Sequence, residues 1–180
     1  MSPLDTFPPS HGERVLKVTR DFDLLPLPNV VRLVLSARPP PAELTTSAAV
    51  YAFHEDKILL VNLADRGWDI PGGHLEQGES PEQAVRRETD KESGAELEEV
   101  RLLGHTHIHL SGSVPNNYQY PYPDAYLMLY WARIRAFGQF AGNQESLDAR
   151  LFTPAEARKF EGIRRSPEFL KAALRLAGLS

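Results

Sequence analysis

Hydrophobic and polar positions change rhythm several times along this chain. Val30-Val31-Arg32-Leu33-Val34-Leu35 is rich in β-branched residues and reads as a strand. It interrupts a Pro-rich stretch, residues 1–44, that ends in Arg38-Pro39-Pro40-Pro41. Proline removes backbone donors and disfavours helix before it, so this N-terminal extension is expected to form an arm packed on the main domain or on a second subunit, as in a homodimer. Residues 45–180 are expected to form the domain proper. There, Ala48-Ala49-Val50-Tyr51-Ala52-Phe53, a polar turn at His54-Glu55-Asp56 and Lys57-Ile58-Leu59-Leu60-Val61-Asn62 predict a hairpin. Pro81–Ser93 is the best-signalled helix, with Ser80 as N-cap, Pro81 at the first position, Glu82 in the first turn and Gly94 as the stop.

Residues 97–110 look extended, 114–124 form a loop rich in Pro, Asn and Tyr, and 125–134 predict an apolar strand too short to span a bilayer. Two helical segments follow at 154–160 and 167–177, the second with Phe169, Leu170, Ala173, Leu174 and Ala177 at helical spacing. Strands, one helix, more strands and terminal helices imply an α/β fold, a mixed sheet with helices packed on it.

With 180 residues, 42% hydrophobic and 24% charged, the chain suits one globular domain with a substantial core. A formal net charge of -4 and a pI near 5.9 argue against a general nucleic-acid-polymer surface, which needs clustered Lys and Arg. A small phosphorylated metabolite or nucleotide held through a metal stays compatible. The absence of Cys excludes disulfides, zinc-thiolate sites and thiol nucleophiles. The opening residues 1–9 carry neither a basic start nor an apolar segment, and no apolar run approaches membrane-spanning length. A cytoplasmic protein with no membrane partner is the expectation.

The candidate chemistry lies in Trp68-Asp69-Ile70-Pro71-Gly72-Gly73-His74-Leu75-Glu76-Gln77-Gly78-Glu79, which runs straight into the capped helix with Arg87, Glu88 and Glu92. Paired glycines permit close backbone approach and unusual dihedrals, so a carbonyl such as that of Gly73 could face an ion. Glu88 and Glu92, four apart, share a helical face. Carboxylates and a carbonyl suit Mg²⁺ or Mn²⁺, hard cations commonly shared with substrate phosphates. A Glu79–Arg87 ion pair would support the loop. The competing explanation is a solvated helix face, since Arg86, Arg87, Glu88, Asp90, Lys91 and Glu92 are all charged.

Gly73, five residues, Glu79, seven residues, Arg87-Glu88, two residues, Lys91-Glu92, one residue, then Gly94-Ala95 resembles the Nudix box. That family's pattern has an apolar residue where Thr89 stands, and a metal-binding Glu where Lys91 stands. The resemblance implies a mixed sheet sandwiched between helices, and hydrolysis by water and Mg²⁺ or Mn²⁺ of a nucleoside diphosphate linked to another moiety. By position it makes Gly73 a carbonyl ligand, Glu92 a metal carboxylate and catalytic residue, and Glu88 a base or second ligand. Lys91 removes one ligand and repels a divalent cation, so the site is expected to hold fewer ions than a complete box. Its side chain could instead reach solvent.

The resemblance also implies a further catalytic carboxylate from a loop beyond the box, with Glu145 as first choice and Asp148 and Asp124 behind it. His105, His107 and His109 alternate and so share one strand face, read as a polar solvent face in preference to a metal or phosphate site. His74 in the loop could touch substrate. Tyr118, Tyr120 and Tyr122 could stack on a base or sugar, or pack on one another. Besides hydrolase, two other readings stand: a nucleotide- or metabolite-sensing protein that lost its metal pair through Lys91, and a prenyl diphosphate isomerase, which the lack of Cys disfavours.

Overall fold

The computed structural model describes residues 12–114 and 116–179, so the first eleven residues of the Pro-rich stretch lie outside the described residues. Among the described residues nine strands form one mixed sheet. They are β1 (Arg14–Arg20), β2 (Asn29–Leu35), β3 (Thr45–His54), β4 (Lys57–Leu63), β5 (Gly67–Asp69), β6 (Gly72–His74), β7 (Ala95–Leu110), β8 (Asp124–Phe137) and β9 (Ser146–Phe152). The order is β1-β2-β7-β8-β3-β4-β5, with β6 on β3 and β9 on β4. β3 and β8 run parallel, and the other pairs are antiparallel. Residues 14–35 thus enter the sheet itself, because β2 pairs along β7 from Asn29↔Leu110 to Leu35↔Gly104.

Alternation along β3 explains the layers. Ala49, Tyr51 and Phe53 face one apolar core with Ile58, Leu60 and Leu129. Ile163 of α3 (Glu161–Arg164) and Phe169, Leu170, Ala173 and Leu174 of α4 (Pro167–Leu176) close that core. Ala48, Val50 and Ala52 face the opposite core, which Ala84 and Val85 of α1 (Pro81–Ser93) close with Met128 and Tyr130. The result is the expected sheet between helices. Of the segment expected as one helix over 154–160, only α2 (Pro154–Ala157) is an α-helix, and α3 begins just after it at Glu161. No helix among the described residues is long and apolar enough to cross a membrane.

α1 forms as its sequence signals require. Ser80 accepts from Gln83 N–H, the Gln83 side chain caps Ser80 N–H in return, and Gly94 ends the helix at φ 69°. A cap of this kind contributes about 1 kcal/mol.

Candidate functional site

The helix face that α1 turns inward carries Ala84 and Val85, then Glu88, Thr89, Glu92 and Ser93, all buried. Thr89 satisfies its hydroxyl on Val85 O at 2.6 Å, which explains how a polar residue is tolerated there. Glu88 and Glu92 are only 5% and 3% exposed, so the solvated-face explanation fails for this pair. Arg86, Asp90 and Lys91 occupy the outer side.

Gly72 and Gly73 lie in β6, alongside Ala49 and Ala48 of β3. A Cβ on Gly72 would fall 2.5 Å from Ala48 O, and one on Gly73 2.7 Å from Glu88 Oε1. Both glycines serve close approach. The unusual dihedrals anticipated for them do not occur, since neither has positive φ. Glu92 Oε2 accepts from Gly72 N–H at 3.1 Å. Burial pushes its carboxyl up to about 7, and nearby Glu88 adds to the rise against the Gly72 hydrogen bond.

Arg87 binds Glu79 through two parallel hydrogen bonds of 2.8 Å, from Nε to Oε1 and from Nη2 to Oε2. That pairing holds the Glu79 carboxyl down at about 2. Arg87 also donates to His74 O at 3.1 Å and to Glu88 Oε1, while Glu79 Oε2 accepts Glu76 N–H at 2.9 Å. One guanidinium therefore ties the loop to the helix and to the Glu88 carboxylate.

Lys91 is partly exposed, but its ammonium turns back onto two carboxylates. Its Nζ stands 2.6 Å from Glu88 Oε2 and 2.7 Å from Glu145 Oε2. Burial alone would lower its pKa, but hydrogen bonds to Glu145 and Glu88 outweigh that and raise it. Asn143 accepts Glu145 N–H and Ser146 N–H and donates to Lys91 O, while Ser146 Oγ donates to Glu92 O at 2.8 Å. These contacts hold the segment before β9 against the end of α1 and bring Glu145 to the ammonium.

The other anticipated groups stand elsewhere. Asp148 pairs with Arg150 at 2.6 Å. Asp124 Oδ1 contacts His107 Nε2 at 2.7 Å and His109 Nδ1 at 2.8 Å. The histidines correct the expectation of a solvent face: His105 and His107 are buried. β7 is an interior strand, and Tyr126 of β8, opposite His107, stacks on its ring at 4.7 Å with an interplanar angle of 9°. His74 stacks on Tyr120 at 5.5 Å, Tyr118 meets Tyr120 edge-on, and Tyr122 donates to Gly112 O. His74 lines the main cavity, whereas the three tyrosines do not.

That cavity, about 970 Å³, opens beside Gly73, Glu88, Lys91 and Glu92 and runs over Ala49, Leu127 and Leu129. At its other lining stand Asp69, Arg66, Arg165 and Ser166, which the sequence reading did not single out as site residues. The available signal was Asp69 itself, an acid between Trp68 and Ile70 on the way into the glycine loop.

Hard oxygen donors on Glu88 and Glu92 fit a divalent cation. Among the described residues no three His, Asp or Glu side chains converge as a metal cage. Such a set suits Mg²⁺ or Mn²⁺, which are held by one or two carboxylates and completed by ligand phosphates.

Fold and site define an α/β sandwich in which a glycine loop faces a helix with buried carboxylates. The chain belongs to the NUDIX domain family, whose pattern matches residues 43–173. A MutT-like protein of Streptomyces ambofaciens is 38% identical over 69 residues, 38% of this chain and 45% of that protein. YjhB of Bacillus subtilis (strain 168), provisionally named an ADP-ribose pyrophosphatase, is 41% identical over 69 residues, 38% of this chain and 33% of that protein. The chain thus matches less than half the length of either relative. In fold it is similar to the Bacillus subtilis pyrophosphohydrolase BsRppH, with TM-score 0.66 and 24% identity over 91% of this chain and 98% of that one.

Proposed function

We propose that this chain is a metal-dependent pyrophosphohydrolase that uses water to split a phosphoanhydride in a nucleoside diphosphate linked to another moiety. The observation that carries the reading is the burial of two carboxylates, Glu88 and Glu92, against Gly72 and Gly73. Glu88 is paired with Arg87 and Lys91, but Glu92 is buried with only the Gly72 N–H bonded to it. A buried acid without a charged partner costs folding free energy, which favours a bound cation or a reaction that uses it. Members of the family generally use Mg²⁺ or Mn²⁺. Bound here, such an ion would neutralise diphosphate charge and make water more acidic.

The chain's own residues have separable tasks. Glu92 and Glu88 would supply the ligand oxygens, with the Gly73 carbonyl as a third, and Glu88 would accept a proton from water in exchange for one of its contacts to Arg87 and Lys91. Arg87 and Glu79 hold loop and helix in register. Lys91 supplies a fixed positive charge between Glu88 and Glu145, where it lowers the Glu145 pKa and limits that carboxylate as a ligand. The remaining cavity takes the nucleoside.

The same ammonium favours a second reading, a nucleotide sensor without turnover. Thermal stabilisation by ADP-ribose with Mg²⁺, compared with either alone, separates metal-assisted from metal-free binding. For the hydrolase, turnover of a nucleoside diphosphate panel in ¹⁸O-water should place label on a product phosphate. Full turnover in excess chelator, or label-free products, would contradict it.

A further inference from the structure

Asp69 occupies a position that no phosphate or metal chemistry explains. It lines the same cavity as the carboxylates of α1, and its side chain is 20% exposed. Oδ1 accepts the N–H of its neighbour Ile70 at 2.8 Å. Oδ2 forms an ion pair with Arg66 Nε at 3.6 Å, longer than an ordinary hydrogen bond. That oxygen is held by one long ion pair and keeps lone pairs to offer in a mostly enclosed place.

The space around it is fitted closely. A Cβ on Gly162 would lie 2.5 Å from Asp69 Cγ and 2.6 Å from Oδ1, so only glycine at 162 leaves the carboxylate where it is. Arg165 and Ser166 follow on the same wall, and both line the cavity with Arg66. The same cavity is lined by the apolar Ala49, Leu127, Leu129 and Ile70, together with Ser47, Tyr51 and Thr106. An acceptor flanked by guanidinium donors, beside an apolar surface, suits a planar ring whose edge sets N–H donors next to a carbonyl. Among common nucleobases guanine has that edge, with N1–H and the exocyclic amino group as donors and O6 as acceptor. Adenine and cytosine place a ring-nitrogen acceptor where N1–H would be, and a carboxylate repels it.

We propose that Asp69, with Arg66 and Arg165 beside it, is the base-reading group of this cavity and selects guanine nucleotides. Placement of the base there, with its diphosphate toward Glu88 and Glu92, rests on the hydrolase reading. Recognition of the base by itself does not.

Binding and turnover therefore test the two separately. In excess chelator, GMP should bind the wild-type protein at least about tenfold more tightly than AMP, CMP or UMP, because a site built to hydrogen-bond rejects rings that cannot complete its bonds. Asp69→Asn keeps an oxygen for Ile70 N–H and replaces the other acceptor by a donor. It should abolish the GMP preference and leave AMP affinity and the thermal midpoint close to wild type. Gly162→Ala, which displaces the carboxylate, should act in the same direction. With metal present, guanosine diphosphate derivatives should show the lowest KM, and Asp69→Asn should raise that KM with little change in kcat.

Equal wild-type affinities for the four monophosphates would overturn the proposal whether or not any variant folds. So would a folded Asp69→Asn protein that retains the GMP preference. GMP selectivity without turnover would leave the base site standing and remove the hydrolase, whereas turnover indifferent to the base would do the reverse.

Discussion

Lys91 and Glu92 are neighbours in sequence and meet opposite electrostatics. The ammonium is raised in pKa by two carboxylates at 2.6 and 2.7 Å, while the Glu92 carboxyl is pushed up to about 7 by burial. A pH signature follows for the metal-free protein. Glu92 keeps its proton in the folded state up to about 7 and loses it in the unfolded state near the ordinary glutamate value, about 4.3. The unfolded state therefore binds fewer protons between those values, and stability falls as pH rises through the window. Thermal midpoints in chelator should drop from pH 5 to pH 8, and Glu92→Gln should flatten that part of the slope. A wild-type slope unchanged in Glu92→Gln would refute the assignment. At the next position, Lys91→Glu should tighten Mn²⁺ binding at least about tenfold, roughly 1.4 kcal/mol, and raise turnover. Lys91→Met should give a smaller gain. Binding is read by Mn²⁺ paramagnetic resonance; unchanged affinity and rate would make Lys91 a bystander, and a lower rate would give it a role toward substrate.

Elements differ in how far local sequence determined them. α1 was legible to the residue, because Ser80, Pro81, Gln83 and Gly94 form a closed set of capping interactions that needs nothing from the rest of the chain. The β3–β4 hairpin was legible for the same reason, with its turn at Glu55 in the left-handed region at φ 53°. β9 was not: 146–152 mixes Asp148 and Arg150 with Leu147, which is exposed, and its strand conformation comes from pairing with β4. β1 is an edge strand with charged residues along it, paired only to β2. The β7 histidines show the limit of periodicity. Alternation fixed that they share a face, but only the partners on β2 and β8 decided that the face is covered, by Arg32 and Tyr126. At the site, the box showed Glu88 and Glu92 through spacing. The bridge from Lys91 to Glu145 joins residues far apart in sequence, through a segment held by Asn143 and Ser146. No spacing rule carries that information.

Among the described residues the sheet separates two cores, and a cavity opens where α1, the glycine loop and the α3–α4 wall meet β3 and β8. The layers put the α1 carboxylates and Asp69 on the lining of one cavity, as a site must if binding energy is to position a reacting bond. Hydrolysis at the α1 carboxylates is the central functional claim. The most direct measurement is the initial rate of phosphoanhydride hydrolysis with saturating Mn²⁺, over a panel of nucleoside diphosphate derivatives, for wild type, Glu88→Gln and Glu92→Gln. Wild-type protein should turn over at least one member of the panel, and each variant should lose at least about a hundredfold, some 2.7 kcal/mol of transition-state stabilisation, while keeping its fold. Wild-type rates in both variants would contradict the site, and no turnover of any panel member by wild type would contradict the function.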